Sequence, residues 1–237
     1  MSSNGDIRRK IQLNRDDFDV TRTVLEPREN HQILVCAAFE PAQGKHGIQC
    51  QSLNPMTGQM TAVATIPTSM PVRTLELKVA ENRALVAWVE GGFSKIALLD
   101  KPNEILELGA AASLKPFIAA GLHDFAVSWL GDDAQMRIDK IPMDTPVKSI
   151  DRKTLILNGL DHQNLGGLVA MSEGYLFAFR HKNTQQMALI DPEFEGWSLI
   201  DNNASWRALH GYAVLDIQNA HTGKILWQTA ESLIVPN

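Results

Sequence analysis

The sequence predicts an all-β chain made of repeated four-stranded antiparallel units, and three observations lead there. First, an apolar strand, a short polar turn and a second apolar strand recur along the chain: ILVCAAFEPAQGKHGIQCQSL, ALVAWVEGGFSKIALLD, FAVSWLGDDAQMRIDKI, LFAFRHKNTQQMALIDP and YAVLDIQNAHTGKILWQT. Second, aligned on the aromatic before the turn, Trp88, Trp129 and Phe179 fall in register, and Phe39 falls near them ahead of a longer turn. The steps from Phe39 are 49, 41 and 50 residues. Third, no segment sustains a helical period. Residues 104–121 hold enough Ala and Leu for a helical turn, but Pro116 and the flanking glycines argue against a long helix.

A repeat of roughly 40–50 residues built from short strands is the pattern of a β-propeller blade. The expected fold is therefore a five-bladed β-propeller of four-stranded antiparallel blades. The alternative is a partial propeller completed by another chain. Residues 1–17 are polar and read as an N-terminal arm, and 18–237 as one propeller domain. Unit one has strands near 20–25, 32–39, 47–53 and 60–66. Unit two has 73–79, 83–89, 94–99 and 104–108. Unit three has 115–120, 124–130, 135–141 and 154–158. Unit four has 165–171, 175–180, 185–190 and 196–200. Unit five has 205–209, 212–217, 224–229 and 232–235. Turn residues mark the boundaries: Glu81-Asn82, Gly91-Gly92, Gly131-Asp132-Asp133, and Thr-Gly at 57–58 and 222–223. Thr74 to Val79 alternates polar and apolar, whereas LVAWV is apolar on both faces. Such a run suits a strand whose sheet is covered on both sides. A ring would be closed by the N-terminal arm or by 233–236 pairing into the last blade, since an open ring exposes strand edges.

Composition narrows the function classes. Apolar residues make up 44 % of 237, enough for a full core, and a net charge of −5 argues against a nucleic-acid partner. The most apolar stretch, 108–122, is interrupted by Lys115 and Pro116 and is too short for a membrane span. The N-terminus carries charges but no apolar core of a signal peptide, so the expected location is cytoplasmic. Cys36 and Cys50 are equidistant from position 43, near the centre of the first hairpin turn, so the two thiols should face each other on adjacent strands. They read as two small buried hydrophobes in a reducing cell, with a redox pair or half of a metal site as the alternatives.

The closing hairpin, LDIQNAHTGKILWQT, resembles the Asp…Thr-Gly-Lys-x-x-Trp hairpin of quinoprotein-like and WD40-like propeller repeats, through Asp216, Thr222, Gly223, Lys224 and Trp227. SLNPMTGQMTAVAT in the first unit is a weaker echo, and the three middle units lack the motif. The resemblance implies blade architecture, with the Gly allowing a tight turn and the Trp packing between blades. It does not bring over the quinone cofactor, whose enzymes are much larger rings, and no cofactor is expected.

In a propeller the hairpins between second and third strands open on one face. Lys45, His46, Glu90, Asp132, Asp133, His181, Lys182, Asn219 and His221 would gather there, as a recognition face or as ordinary solvated turns. His123-Asp124 and Asp161-His162 lie at predicted turns and read as structural or solvated. Asp132-Asp133 lacks the ligand spacing of a calcium loop, and no metal is expected. The chain has no G-x-S-x-G, H-E-x-x-H, phosphate-binding glycine loop or C-x-x-C. Trp197, Trp206 and Trp227 read as inter-blade core, with a sugar-stacking shelf as the alternative. The first strands of the units are largely apolar, with Glu76 and Arg207 the charged candidates for a central funnel. The function expected is a non-enzymatic scaffold that presents its hairpin face to a protein partner within a larger assembly. The alternative is a small propeller enzyme or lectin binding a carbohydrate-like ligand in the funnel.

Overall fold

The structure, a computed structural model, describes residues 18–28, 31–41, 46–80, 83–112, 115–144, 152–157, 161–171, 174–181, 184–200, 204–209, 212–218, 225–229 and 232–234. It divides into two compact units, Met1–Pro116 and Phe117–Asn237. The expected arm at 1–17 lies outside the described residues. Among the described residues there is no α-helix, so none is long and apolar enough to cross a membrane.

The first unit holds two antiparallel meanders. One contains β1 (Phe18–Pro27), β2 (Ile33–Pro41), β3 (Gly47–Leu53) and β4 (Met60–Pro67); the other contains β5 (Val72–Ala80), β6 (Arg83–Glu90), β7 (Phe93–Leu98) and β8 (Leu106–Ala110). Alternation on β5 explains its placement. Leu75 and Leu77 are buried, while Thr74, Glu76 and Lys78 on the opposite face are only half-buried. Ala84 to Glu90 is buried throughout, so both faces of β6 are covered, as its unbroken apolar run requires. Leu34, Cys36, Ile48, Cys50 and Ile66 of the first sheet pack on Leu75, Leu77, Val86, Trp88 and Ala97 of the second. Strand β1 lies beside β5 at this junction.

The second unit repeats the motif. Its sheets contain β9 (Phe117–Ala120), β10 (Asp124–Leu130), β11 (Met136–Pro142) and β12 (Lys153–Leu157); then β13 (Asp161–Met171), β14 (Gly174–His181), β15 (Thr184–Ile190) and β16 (Trp197–Ile200); then β17 (Ala204–Leu209), β18 (Tyr212–Gln218), β19 (Ile225–Thr229) and β20 (Ser232–Ile234). Each sheet is a meander in which neighbours in sequence are neighbours in space. Phe125, Val127, Met136, Ile138 and Ile141 are buried in one sheet, and Phe177 and Phe179 stack 5.8 Å apart in the next. First strands again meet, with β9 beside β13.

Trp88, Trp129 and Phe179 are all buried; Trp88 and Phe179 stand two residues before the last pair of their hairpins, and Trp129 one residue before. Among the described residues no sheet closes on itself and no propeller ring is seen. The helical turn considered for 104–121 does not form at 106–110, which is β8. Of the tryptophans considered for a shelf, Trp197 is half-buried, and the side chains of Trp206 and Trp227 lie outside the described residues.

The cysteines correct the expectation drawn from composition. Cys36 and Cys50 are directly paired across β2 and β3, as their symmetry about the turn implies. They are bonded to each other, S–S 2.02 Å with Cα atoms 4.1 Å apart, and are neither free thiols nor half of a metal site. Facing positions of an antiparallel pair come this close where the ladder lacks a reciprocal hydrogen-bond pair, about 4.5 Å.

Candidate binding site at the β6–β7 hairpin

Of the residues expected on a hairpin face, Lys45, Lys182, Asn219 and His221 lie outside the described residues. His181 and Arg207 fall on β14 and β17, but their side chains are not among those described. Asp132 and Asp133 are exposed, as a solvent-facing tip requires. His46 is half-buried: its carbonyl accepts from the Thr68 amide at 3.4 Å, and its Nδ1 has no partner.

Glu90 departs from the expectation of an exposed tip, with only 2 % of its surface accessible. The turn explains this. Gly91 and Gly92 have φ of +57° and +85°, so the hairpin closes with a two-residue turn that only glycine-like residues accommodate cheaply. So short a turn keeps Glu90 in the ladder opposite Phe93 and aligns Trp88 with Lys95. Period two then puts Glu90 and Trp88 on one face of β6, the face that packs toward the first sheet.

On that face Lys95 Nζ donates to Glu90 Oε1 at 2.7 Å, and Ser69 Oγ in the β4–β5 link donates to the same oxygen at 3.3 Å. Glu90 Oε2 and Thr68 Oγ1 are buried without a hydrogen-bond partner. Glu107, on β8, sits 3.9 Å from Lys95. Together with Pro67 and Ile105 these residues line a cleft of about 440 Å³. Lys95, Ser69 and Glu107 were not singled out by the sequence. Lys95 was legible, because the Gly-Gly turn fixes its register; Ser69 was not, because its approach depends on how two sheets pack.

Two further polar clusters lie elsewhere. Glu76 pairs with Lys115 at 2.6 Å. Burial pushes its carboxyl above the usual range, opposed by the charges of Lys115 and Lys78. In the third sheet Asp139 is fully buried and accepts from Trp129 Nε1 at 2.6 Å and from Thr154 Oγ1, with Arg152 Nε 3.3 Å away. Burial raises its pKa, against those hydrogen bonds and the Arg152 charge. At the tip above it, Arg137 donates to both oxygens of Asp133, at 2.7 and 2.5 Å. These bonds hold the Asp133 carboxyl down at about 2. With both oxygens taken, Asp133 is a poor cation ligand. Among the described residues no cluster of three His, Cys, Asp or Glu is placed to hold a metal.

No protein-family model matches the sequence, and no curated protein matches it.

Proposed function

We propose that the chain is a non-enzymatic β-propeller binding module that presents its hairpin turns to a protein partner as a subunit of a larger assembly. The β10–β11 turn carries this reading. There Asp132 and Asp133 are exposed, and Asp133 is locked by two hydrogen bonds from Arg137 on a strand whose neighbour, β10, is almost wholly buried. A carboxylate held in place before binding loses little conformational entropy when a partner docks. The neighbouring Asp132, also exposed at this tip, supplies a charge that favours a partner with a basic patch. The pairing of Glu76 with Lys115 also leaves this funnel candidate already neutralised, which favours binding over chemistry.

The fold proposed is a five-bladed propeller, or a partial propeller that another chain completes. Light scattering separates these, since the first predicts a 26.2 kDa monomer and the second an oligomer. The location proposed is an oxidising compartment rather than the expected cytoplasm, supported by the Cys36–Cys50 disulfide. Mass spectrometry after alkylation of protein from its native host tests this: two alkylated thiols without prior reduction would return the protein to the cytoplasm. The scaffold reading is tested by affinity capture from that host with wild-type protein and with a doubly substituted Asp132→Lys, Asp133→Lys variant. A partner lost only with the folded variant supports it. An unchanged set of partners overturns the role of this tip.

A second reading, a small-ligand site, rests on the unpartnered Glu90 Oε2 in its cleft.

A further inference from the structure

We propose that the cleft between the β4–β5 link and the β6–β7 hairpin binds an alkylammonium group. The inference does not depend on the scaffold reading, which rests on a different hairpin.

Charge is the first argument. The cleft holds two carboxylates, Glu90 and Glu107, and one ammonium, Lys95, which lies within 4 Å of both. One negative charge is left over. Lys95 is bonded to the buried Glu90 at 2.7 Å and stands 3.9 Å from Glu107, so the surplus charge lies toward the half-exposed Glu107 at the rim, where an arriving cation meets it first.

Hydrogen bonding is the second argument. Glu90 Oε1 already accepts from Lys95 and Ser69, while Oε2 accepts from nothing. Thr68 Oγ1, in the same lining, is also without a partner. The unmet demand at Glu90 is for a donor, because an ionised carboxylate only accepts. An incoming ammonium brings three donors and the missing positive charge together. A neutral hydroxyl brings one donor and no charge. A divalent metal would need more oxygen ligands than this cleft offers.

Shape is the third argument. Pro67 and Ile105 give the cleft an apolar wall beside its polar end, so a short alkyl stem has a surface to lie against. The group could be a free small amine or the side chain of a lysine on a peptide. The chemistry at Glu90 is the same for both.

The test is an amide NMR titration of the full chain with n-butylammonium chloride, Nα-acetyl-lysine amide, n-butanol and tetramethylammonium chloride. Butylammonium should give saturable shifts at Thr68, Ser69, Glu90 and Lys95. Butanol, which lacks charge, and tetramethylammonium, which lacks donors, should bind about tenfold more weakly or not at all. Glu90→Gln should cost about tenfold in butylammonium affinity. Should that variant fail to fold, Glu107→Gln removes a half-exposed carboxylate at the rim and should weaken binding severalfold. Tighter binding of the lysine amide identifies a peptide side chain as the guest, and tighter binding of butylammonium a free amine. The proposal is overturned if butylammonium produces no saturable shift at these amides, if butanol matches it, or if Glu107→Gln leaves its affinity unchanged.

Discussion

In the β6–β7 hairpin an acid at the end of the first strand, Glu90, pairs with Lys95 across a two-glycine turn. In the β10–β11 hairpin Asp133, inside the turn itself, pairs with Arg137. Each hairpin has a tryptophan close before its closing pair, Trp88 two residues before in one and Trp129 one residue before in the other. The chemistry of the two pairs is alike, but their surroundings are opposite. The two-residue turn leaves Glu90 in the ladder, and the ladder carries it inside. The β10–β11 turn spans Gly131 to Gln135, with Ala134 at φ +61°, and lifts Asp133 out of the ladder into solvent. Turn length, rather than residue type, decides which carboxylate is buried.

The tryptophans differ in the same way. Trp129 Nε1 donates to buried Asp139, and Arg137 lies 5.2 Å from the Trp129 ring centre. Trp88 Nε1 has no partner. Trp88 therefore contributes by filling space, and Trp129 by filling space and satisfying a carboxylate.

The comparison breaks first at Trp88. Trp88→Ala should cost about 3–5 kcal/mol in denaturant unfolding, because the side chain is fully buried between two sheets. A loss below about 1 kcal/mol would show that this face is not packed as described.

Lys95→Met comes next. It leaves Glu90 buried with only Ser69 as donor, and about 2–3 kcal/mol should be lost, toward the low end for breaking a buried pair because Lys95 is partly exposed. Arg137→Met at the other tip should lower the melting temperature by less, since Asp133 is exposed and the pair is screened by water, which leaves mainly the contact with the Trp129 ring to be lost. Equal losses in the two variants would erase the distinction between the hairpins.

Replacing each tryptophan by phenylalanine sharpens the contrast. Trp129→Phe removes a donor from buried Asp139 and should cost about 1–3 kcal/mol beyond the packing change. Trp88→Phe removes a donor that had no acceptor and carries no such additional cost. The comparison is made by thermal melts of both variants, and an equal or larger loss for Trp88→Phe would count against it.

The smallest effect is on pH dependence. Asp133 is held at about 2 in the folded chain, below its ordinary value of 3.8, so its contribution is present above about pH 4 and fades as pH falls through 2. In Arg137→Met the carboxyl should titrate near its ordinary value, followed by carbon-detected NMR of Asp133. A wild-type titration near pH 4 would contradict the bidentate pair.

Much of the strand order was legible before any coordinates. Period-two runs bounded by Gly-Gly, Thr-Gly and Gly-Asp-Asp place the hairpins, and the symmetry of Cys36 and Cys50 about position 43 places them opposite each other. The candidate site was legible only in part. Glu90 was found as a residue next to a turn, but its burial and its neighbours were not. Asp139, in the segment MRIDKI, reads as one more charge on a half-solvated strand. Its burial follows from the convergence of Trp129, Thr154 and Arg152, each on a different part of the chain.

By itself, then, the sequence determined the all-β character, the meander of each sheet and the register of its hairpins. Those depend on side-chain alternation and turn residues, which act over a few neighbouring positions. Only the tertiary structure decided that the two cysteines are bonded, that Glu90 is enclosed and that Ser69 reaches it. The reason is physical. Burial and pairing at these sites depend on how one sheet lies against the next, and no local pattern encodes that distance.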